Sequence, residues 1–229
     1  IKETLGGASW WDWPAELRDR DEERLSRVKN ELDAARQEWV TIEFFFDRQW
    51  RALRRYCAAR GVSILGDIPI YVAGDSVDVW AHQSYFELGP DSKPTFISGA
   101  PPDVYSAVGQ SWGNPLYRWD ELERHDYDWW VARLRRALEH ADLVRLDHFR
   151  GFAAYWAIPA DAEDARSGSW RPGPGPGLFD KLLEALGSLP LIAEDLGTID
   201  EPVRDLQRRF ALPGMLVQQF AYDGQLDND

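Results

Sequence analysis

Cysteine, positive charge and long apolar runs are all scarce in this sequence. One cysteine stands among its 229 residues, so no disulfide can form within the chain. The formal net charge of −13 argues against a nucleic-acid or an anionic-membrane partner, because those surfaces attract Lys and Arg. No apolar run approaches the roughly 20 residues that a membrane-spanning helix needs. A neutral ligand such as a sugar remains open.

The usual signatures of metal sites and nucleotide cofactors are also missing from the sequence. No Cys-x-x-Cys pair occurs and the histidines are scattered, so the sequence predicts no metal site. No predicted strand leads into Gly-x-Gly-x-x-Gly at a helix start, and no Gly-Lys-Ser/Thr pattern occurs. A dinucleotide-binding interpretation is therefore the weaker one.

Tryptophan, by contrast, is abundant. The sequence has 12 Trp residues, many of them in loop-like segments such as residues 10–13. For any single Trp, packing in a core is the better interpretation. Indole rings displayed on loops near Gly, Asn and Asp also stack on the apolar faces of sugar rings. The excess of Trp therefore favours a sugar-lined cleft.

The hydrophobic pattern predicts strands that alternate with helices. Residues 14–59 are expected to be helical, with most apolar residues of their second half facing the core. The apolar run at 62–72 is typical of a parallel strand covered on both faces. Residues 73–116 are expected to form a long irregular loop with a functional role. Further strands are predicted at 141–148, 189–197 and 214–223, further helices at 118–140, 178–187 and 200–210, and core-facing helical residues at Phe44, Phe45, Phe46, Trp50, Leu53 and Tyr56.

Three of the predicted strands end in a carboxylate, namely Asp67, Asp147 and Glu194. Alternation of strand and helix indicates βαβ units with a parallel sheet. Acidic side chains at the carboxyl ends of such strands are typical of a (β/α) barrel, whose active site lies at that face. We therefore predict an α/β fold that is part of a (β/α)8 TIM barrel, with middle strands only and long loops at their C-terminal ends.

The two ends of the chain add an expectation about its domain organisation. The chain opens at Ile1 without an initiator Met, and it stops at Asp229 in a polar loop directly after an apolar segment. Residues 1–229 are thus expected to be a central fragment of one catalytic barrel domain, with a loop insertion at about 73–116. The N-terminal and C-terminal parts of the barrel are expected to be absent.

Asp147 and Glu194 fit the pair of carboxyl groups that cleaves a glycosidic bond. One group protonates the leaving oxygen, and the other attacks the anomeric carbon or activates water. In a retaining mechanism the two groups lie about 5–5.5 Å apart, close to the roughly 4.8 Å between neighbouring strands. Arg145, on the same side of its strand, favours an ionised Asp147, and the apolar residues before Glu194 favour a raised pKa there. An ion pair that closes the barrel and a solvated strand end are the structural alternatives.

Several longer motifs carry a resemblance to a known family. They are Gly-Asp-Ile-Pro-Ile-Tyr-Val at 66–72, Trp-Ala-His at 80–82, Pro-Pro-Asp at 101–103, Gly-Gln-Ser-Trp-Gly-Asn-Pro-Leu-Tyr at 109–117, Arg-Leu-Asp-His-Phe-Arg-Gly at 145–151, Leu-Ile-Ala-Glu-Asp-Leu-Gly at 191–197 and Leu-Pro-Gly-Met at 212–215. In this order and spacing they resemble the amylomaltases, the 4-α-glucanotransferases of glycoside hydrolase family seventy-seven. The resemblance runs from near the first residue to the last.

The resemblance implies a role for each matching residue. Asp147 resembles the family nucleophile and Glu194 the general acid/base. Arg145 would orient Asp147, and His148, Asp67 and Tyr71 would bind or line the sugar subsite at the scissile bond. Asp103, Gln110, Trp112 and Asn114 would lie on a loop that folds over the glucan, and Asp195 would orient Glu194 or contact an acceptor sugar.

The implied reaction is transfer of α-1,4-glucan segments to the 4-hydroxyl of an acceptor by a retaining double displacement. The implied partners are α-1,4-glucans such as malto-oligosaccharides and starch or glycogen fragments. No cofactor, nucleic acid or membrane is implied, and the implied location is cytoplasmic. The alternatives are an α-amylase-type hydrolase and, for this fragment alone, an inactive glucan-binding piece.

The sequence departs from the family pattern in one respect. The resemblance implies a third carboxylate, an Asp that follows a His beyond the fourth predicted strand, which grips sugar hydroxyls and helps to distort the ring. None of Asp223, Asp227 and Asp229 stands in a His-Asp pair. We therefore expect two of three catalytic carboxylates in these residues.

Overall fold

A computed structural model of the chain describes residues 1–104 and 106–218. Three helices come first, and strands and helices then alternate, with short 3-10 turns between some of them. The elements in chain order are α1 (Ala15–Arg18), α2 (Glu22–Glu31), α3 (Asp33–Ala58), β1 (Leu65–Pro69), α4 (Val77–Ala81), β2 (Phe96–Ala100), β3 (Gln110–Pro115), α5 (Trp119–Arg124), α6 (Asp128–His140), β4 (Leu143–Asp147), β5 (Ala154–Pro159), β6 (Ser169–Pro172), α7 (Pro176–Leu186), β7 (Leu191–Ala193) and α8 (Glu201–Phe210).

The strands form two sheets of different kinds. β1, β4 and β7 form a parallel sheet in that order, as the βαβ interpretation predicts. The register sets Leu65 opposite Leu143 and Pro69 opposite Asp147, so β1 and β4 end at the same edge. β3, β2, β5 and β6 form an antiparallel sheet. The fold is therefore mixed α/β, and no closed barrel is seen in the residues that the structure describes.

The prediction of a long irregular loop at 73–116 is wrong. This stretch contains α4, β2 and β3, and β2 pairs with β3 on one side and with β5 on the other. Gly99 is required there, because a Cβ at this position would lie 2.1 Å from the carbonyl oxygen of Gln110. Strands so short and so rich in Gly, Ser and Pro have little pattern of their own. Pairing across more than 50 residues stabilises them, which no local window reports.

The predicted burial of the strand at 62–72 is also wrong in part. Ordered strand extends only over β1, and Leu65 is 55% exposed. β1 lies at the edge of the parallel sheet, so one of its flanks has no covering strand in the described part of the chain. The strand predicted at 214–223 is not seen in residues 214–218, and the rest of it lies outside the described residues.

The long N-terminal helix divides into three, and its aromatic face is exposed. The predicted core residues Phe44, Phe45, Phe46, Leu53 and Tyr56 are 45–61% exposed, and α3 has no buried residue. Trp50 is held against α6, where its indole Nε1 donates to the carbonyl of His140 over 2.8 Å, and Phe46 packs edge-on against the His140 ring with 5.8 Å between centroids. Helical periodicity identifies a face suited to burial but does not supply the surface that covers it.

Helices α6 and α7 carry the core beneath the parallel sheet. α6 buries Trp129, Trp130 and Leu134, which lie on one side of the helix. The helix predicted at 118–140 is divided into α5 and α6. The interruption lies where Asp126 and Tyr127 take positive φ angles of 53° and 52°. Across residues 1–104 and 106–218, no helix combines the length and apolar character that a bilayer crossing requires.

Replacing a core leucine of α6 tests this packing. Leu134→Ala should lower the free energy of unfolding by about 2–5 kcal/mol, because Leu134 is 0% exposed and its removal leaves a cavity. Leu183→Ala on α7 is the matched control, since Leu183 is 42% exposed, and it should cost less than about 1 kcal/mol. Urea unfolding followed by circular dichroism measures both. Equal losses would contradict the assigned core.

Candidate active site

One guanidinium joins the carboxyl ends of two parallel strands. Arg145 and Asp67 are register partners on β4 and β1, and Arg145 Nη1 lies 2.9 Å from Asp67 Oδ1. Arg145 Nη2 lies 2.7 Å from Oδ1 of Asp147, two residues along the same strand and therefore on the same face. Burial alone lowers the pKa of Arg145, but the two carboxylates outweigh it and raise the pKa above its ordinary value. The planar fork of the guanidinium fixes both carboxylates in position.

Glu194 lies directly after β7 in a different environment. Its Oε2 accepts from the backbone N–H of His148 over 2.9 Å, and its Oε1 accepts from that of Leu196 over 3.0 Å. Burial raises the pKa of Glu194, and the charge of Asp147 raises it further. The two backbone hydrogen bonds and Arg145 oppose this rise without cancelling it. The raised pKa expected from the apolar sequence before Glu194 is thus confirmed in direction.

His148 forms the base of the site as a neutral imidazole. Burial, helped by the charge of Arg150 and opposed by that of Asp147, lowers the pKa of His148 to about 4. Its backbone is left-handed, with φ 52°, and its buried Nε2 has no hydrogen-bond partner among the described residues. Gly151 makes room for it, because a Cβ there would lie 3.1 Å from His148 Cδ2. At neutral pH this ring is therefore uncharged.

A cleft of about 340 Å³ lies over these groups. Trp112 packs edge-on against His148, with 4.7 Å between ring centroids, and its centroid lies 6.4 Å from that of Tyr71. The buried hydroxyl of Tyr71 has no partner among the described residues, and burial raises its pKa well above the ordinary value. The lining residues are Pro69, Ile70, Tyr71, Trp112, Asn114, Arg145, Asp147, His148 and Glu194.

Seven of the eleven predicted site residues, Arg145 among them, thus line the cleft, and the other four do not. Asp67 contacts Arg145 instead. Gln110 accepts from the indole N–H of Trp112 over 3.1 Å. Asp103 accepts from the backbone N–H of Ser106 within the loop. Asp195 accepts from the side-chain amide of Gln207 and from the backbone N–H of Met215.

Some residues of the site were not singled out in the sequence. Pro69 and Ile70 line the cleft, and Met215 contacts the far side of Arg145, where its sulfur lies 3.2 Å from Nε. Their signal was present, because all three fall within the resembling motifs at 66–72 and 212–215. Met215 is also the single methionine of the sequence.

The geometry and charges of the cleft define what it can do chemically. A carboxyl group with a raised pKa can donate a proton, and a carboxylate fixed by an arginine can attack an electrophilic carbon. The aromatic walls suit the apolar faces of a cyclic ligand, and in the described part of the chain the buried Nε2 of His148 and hydroxyl of Tyr71 have no hydrogen-bond partner. Among the residues that the structure describes, no group of three or more His, Cys, Asp or Glu could hold a metal ion.

Comparison with known proteins agrees with the sequence motifs. The family model described as 4-alpha-glucanotransferase matches residues 1–229. The 4-alpha-glucanotransferase of Thermus thermophilus is 48% identical over 228 residues, which are 100% of this chain and 46% of that protein. The chloroplastic/amyloplastic enzyme of Arabidopsis thaliana is 43% identical over 228 residues, covering 100% of this chain and 40% of its own length.

A solved structure matches the fold as well. The amylomaltase of Streptococcus agalactiae in complex with acarbose superposes with a TM-score of 0.94 at 40% identity, covering 100% of this chain and 46% of that one. The chain thus spans about half the length, or less, of the relatives it matches. By sequence along its whole length and by fold, the chain belongs to the 4-alpha-glucanotransferase family, glycoside hydrolase family seventy-seven.

Proposed function

We propose that this chain provides the nucleophile and the general acid/base of a 4-alpha-glucanotransferase. The enzyme moves α-1,4-glucan segments to the 4-hydroxyl of an acceptor glucan or glucose. The observation that carries the proposal is the contrast between Asp147, held by Arg145, and Glu194, half-buried with a raised pKa, at the ends of neighbouring parallel strands. The acarbose bound to the amylomaltase of Streptococcus agalactiae supports an α-glucan as ligand.

The first step of the reaction forms a covalent intermediate. Glu194 gives its proton to the glycosidic oxygen while a carboxylate oxygen of Asp147 attacks C1. The bond between C1 and the glycosidic oxygen breaks, the leaving glucan departs with the proton, and a bond between C1 and Asp147 forms. Arg145 orients Asp147 for this attack. Glu194 is left as a carboxylate.

The second step transfers the glucan. Glu194 now takes the proton from the 4-hydroxyl of an acceptor, whose oxygen attacks C1 and displaces Asp147. Two inversions retain the α configuration. Water in place of the acceptor would give hydrolysis, so the balance between the two outcomes depends on how well the site binds sugar and excludes water.

The remaining site residues bind the glucan in this proposal. The buried Nε2 of His148 and the buried hydroxyl of Tyr71 have no hydrogen-bond partner among the described residues, and in this proposal sugar hydroxyls satisfy them. Asp67 supports the same subsite through Arg145. Trp112 and Asn114 line the cleft from β3. Asp103 and Gln110, on and beside the 101–109 loop, would contact the glucan further from the scissile bond.

The architecture fits a larger catalytic domain. We propose that the parallel sheet β1-β4-β7 is the middle of a (β/α)8 barrel, with residues 73–116 as its insertion, and that the location is cytoplasmic. The family's third carboxylate, an Asp after a His beyond the strand predicted at 214–223, has no counterpart in Asp223, Asp227 or Asp229, and the His125-Asp126 pair lies far upstream of that position. In this proposal another part of the barrel supplies it.

The products formed from maltotriose test the activity. The chain should be assayed alone and joined to the flanking segments of the Thermus thermophilus relative, which is 48% identical. The joined protein should give glucose together with glucans longer than maltotriose, measured by chromatography. Asp147→Asn should abolish both products, because it removes the nucleophile, whereas Asp180→Asn on the exposed face of α7 should not. Products that are all shorter than maltotriose would indicate a hydrolase, and binding without turnover by the chain alone would indicate an inactive piece.

The raised pKa of Glu194 predicts how the rate of transfer depends on pH. Its raised pKa keeps the acid form populated to higher pH than an ordinary Glu, whose pKa is about 4.3. The first step needs that form, so transfer from maltotriose should fall as pH rises through the pKa of Glu194. Glu194→Gln should lower this transfer about 10²- to 10⁴-fold. It should lower the release of fluoride from α-glucosyl fluoride in the first turnover far less, since fluoride departs without a proton and the second step is not yet needed.

The control for this prediction is Glu184→Gln, which replaces an exposed Glu on α7 paired with Lys181. It should leave both rates and the pH profile unchanged. If Glu194→Gln slowed the first-turnover release of fluoride as much as transfer from maltotriose, Glu194 would not be the general acid.

A further inference from the structure

The carboxylate of Asp195 contacts neither the cleft nor Glu194 in the hydrogen bonds that the structure gives it. Its Oδ1 accepts from the backbone N–H of Met215 over 2.8 Å, and its Oδ2 accepts from the side-chain amide of Gln207 on α8 over 2.8 Å. Gly214 lies so close that a Cβ there would be 2.1 Å from Asp195 Oδ2. The carboxylate is therefore enclosed by α8 and by the backbone at 214–215.

The segment that Asp195 contacts is anchored along the parallel sheet. The backbone N–H of Ala193, in β7, donates to the carbonyl of Pro213 over 2.8 Å. The N–H of Leu212 donates to the carbonyl of Gln207 over 3.0 Å, and the Leu212 side chain is buried. Asp195 adds a third attachment at Met215. Residues 212–215, which we call the clip, thus run beside β7 and end next to the active site.

The clip places one side chain against Arg145. Met215 Sδ lies 3.2 Å from Nε of Arg145, whose Nη1 and Nη2 contact Asp67 and Asp147. Groups from β1, from β4 and from the clip therefore surround the guanidinium on its three donor sides. Sulfur is a weak acceptor, but Met215 fills the space beside Nε and so restrains rotation of the Arg145 side chain.

We propose that Asp195 is a positioning residue that acts through Met215 on Arg145, and hence on Asp147. The inference rests on the proposed function only where its effect is read as a rate. The contacts of Asp195 with Met215 and Gln207 require two hydrogen bonds but not a negative charge. Asn can make both, with its carbonyl oxygen accepting from Met215 N–H and its amide donating to a flipped Gln207. Roles in which Asp195 acts on Glu194 by charge, or binds an acceptor sugar as a carboxylate, need the charge itself.

Kinetics of four variants in the joined protein separate these roles. Asp195→Asn should keep kcat within about twofold of the parent and leave the pH profile unchanged. Asp195→Ala should lower kcat about 10- to 100-fold with little change in KM, since small misplacements of a catalytic group have effects of this size. Met215→Leu, which keeps the bulk but removes the acceptor, should lower kcat in the same direction by less. Leu216→Ala is the matched control, because the neighbouring Leu216 is 89% exposed, and it should change neither kcat nor KM.

The coupling between the two positions tests the route of the effect. If Asp195 acts through Met215, the double variant Asp195→Ala/Met215→Leu should be no slower than Asp195→Ala alone. If the two substitutions lowered kcat independently, so that their fold-changes multiplied in the double variant, Asp195 would not act through Met215. Asp195→Asn as slow as Asp195→Ala, with a shifted pH profile, would show instead that the charge of Asp195 is required.

A readout that needs no turnover completes the experiment. Hydrogen exchange of the Arg145 Nε–H, followed by NMR in the 229-residue chain, should be slow in the parent and in Asp195→Asn. It should be faster in Asp195→Ala and in Met215→Leu. If the joined parent shows no transfer but exchange follows this order, the proposed function fails and the positioning role stands. If transfer is observed but neither exchange nor kcat responds to Asp195→Ala, the positioning role is wrong.

Discussion

The contact of Arg145 with Asp67 and Asp147 is the interaction on which the site depends. It requires that β1 and β4 be parallel and that Asp67 stand opposite Arg145, since a shift of one residue would move each side chain to the other face of the sheet. A lysine could not replace the planar fork that reaches two carboxylates at once. The contacts among these three side chains therefore depend on the register of β1 and β4.

Two sheets with different roles contribute side chains to the cleft around this interaction. The parallel sheet ends in the charged groups, while β3 of the antiparallel sheet brings Trp112 and Asn114 over them. The two acids differ because their surroundings differ: Glu194 is half-buried and bonded to backbone N–H groups, whereas Asp147 faces a guanidinium. Distinct environments for two carboxyl groups are what acid and nucleophile roles require.

Local sequence patterns predicted the charged part of the site but not its setting. The i, i+2 spacing of Arg145 and Asp147 and the strand-end position of Glu194 are local features, and the parallel ladder follows from strand–helix alternation. The antiparallel sheet depends on pairing between β2 and β5, some 60 positions apart, so residues 73–116 looked irregular. The aromatic face of α3 was predicted as core because periodicity does not reveal what covers it. The direction of Asp195 was beyond prediction for the same reason, because the clip that it holds is 20 residues away.

The covalent intermediate on Asp147 is the most direct measurement of this account. A 5-fluoro-α-glucosyl fluoride reacts in the first step and is released slowly in the second, so the glycosyl-enzyme accumulates. Peptide mass spectrometry of the labelled, joined protein should find the sugar on the peptide that contains Asp147 and locate it on that side chain. A label on Glu194 or Asp67, or no label in a protein that transfers glucan, would contradict the account.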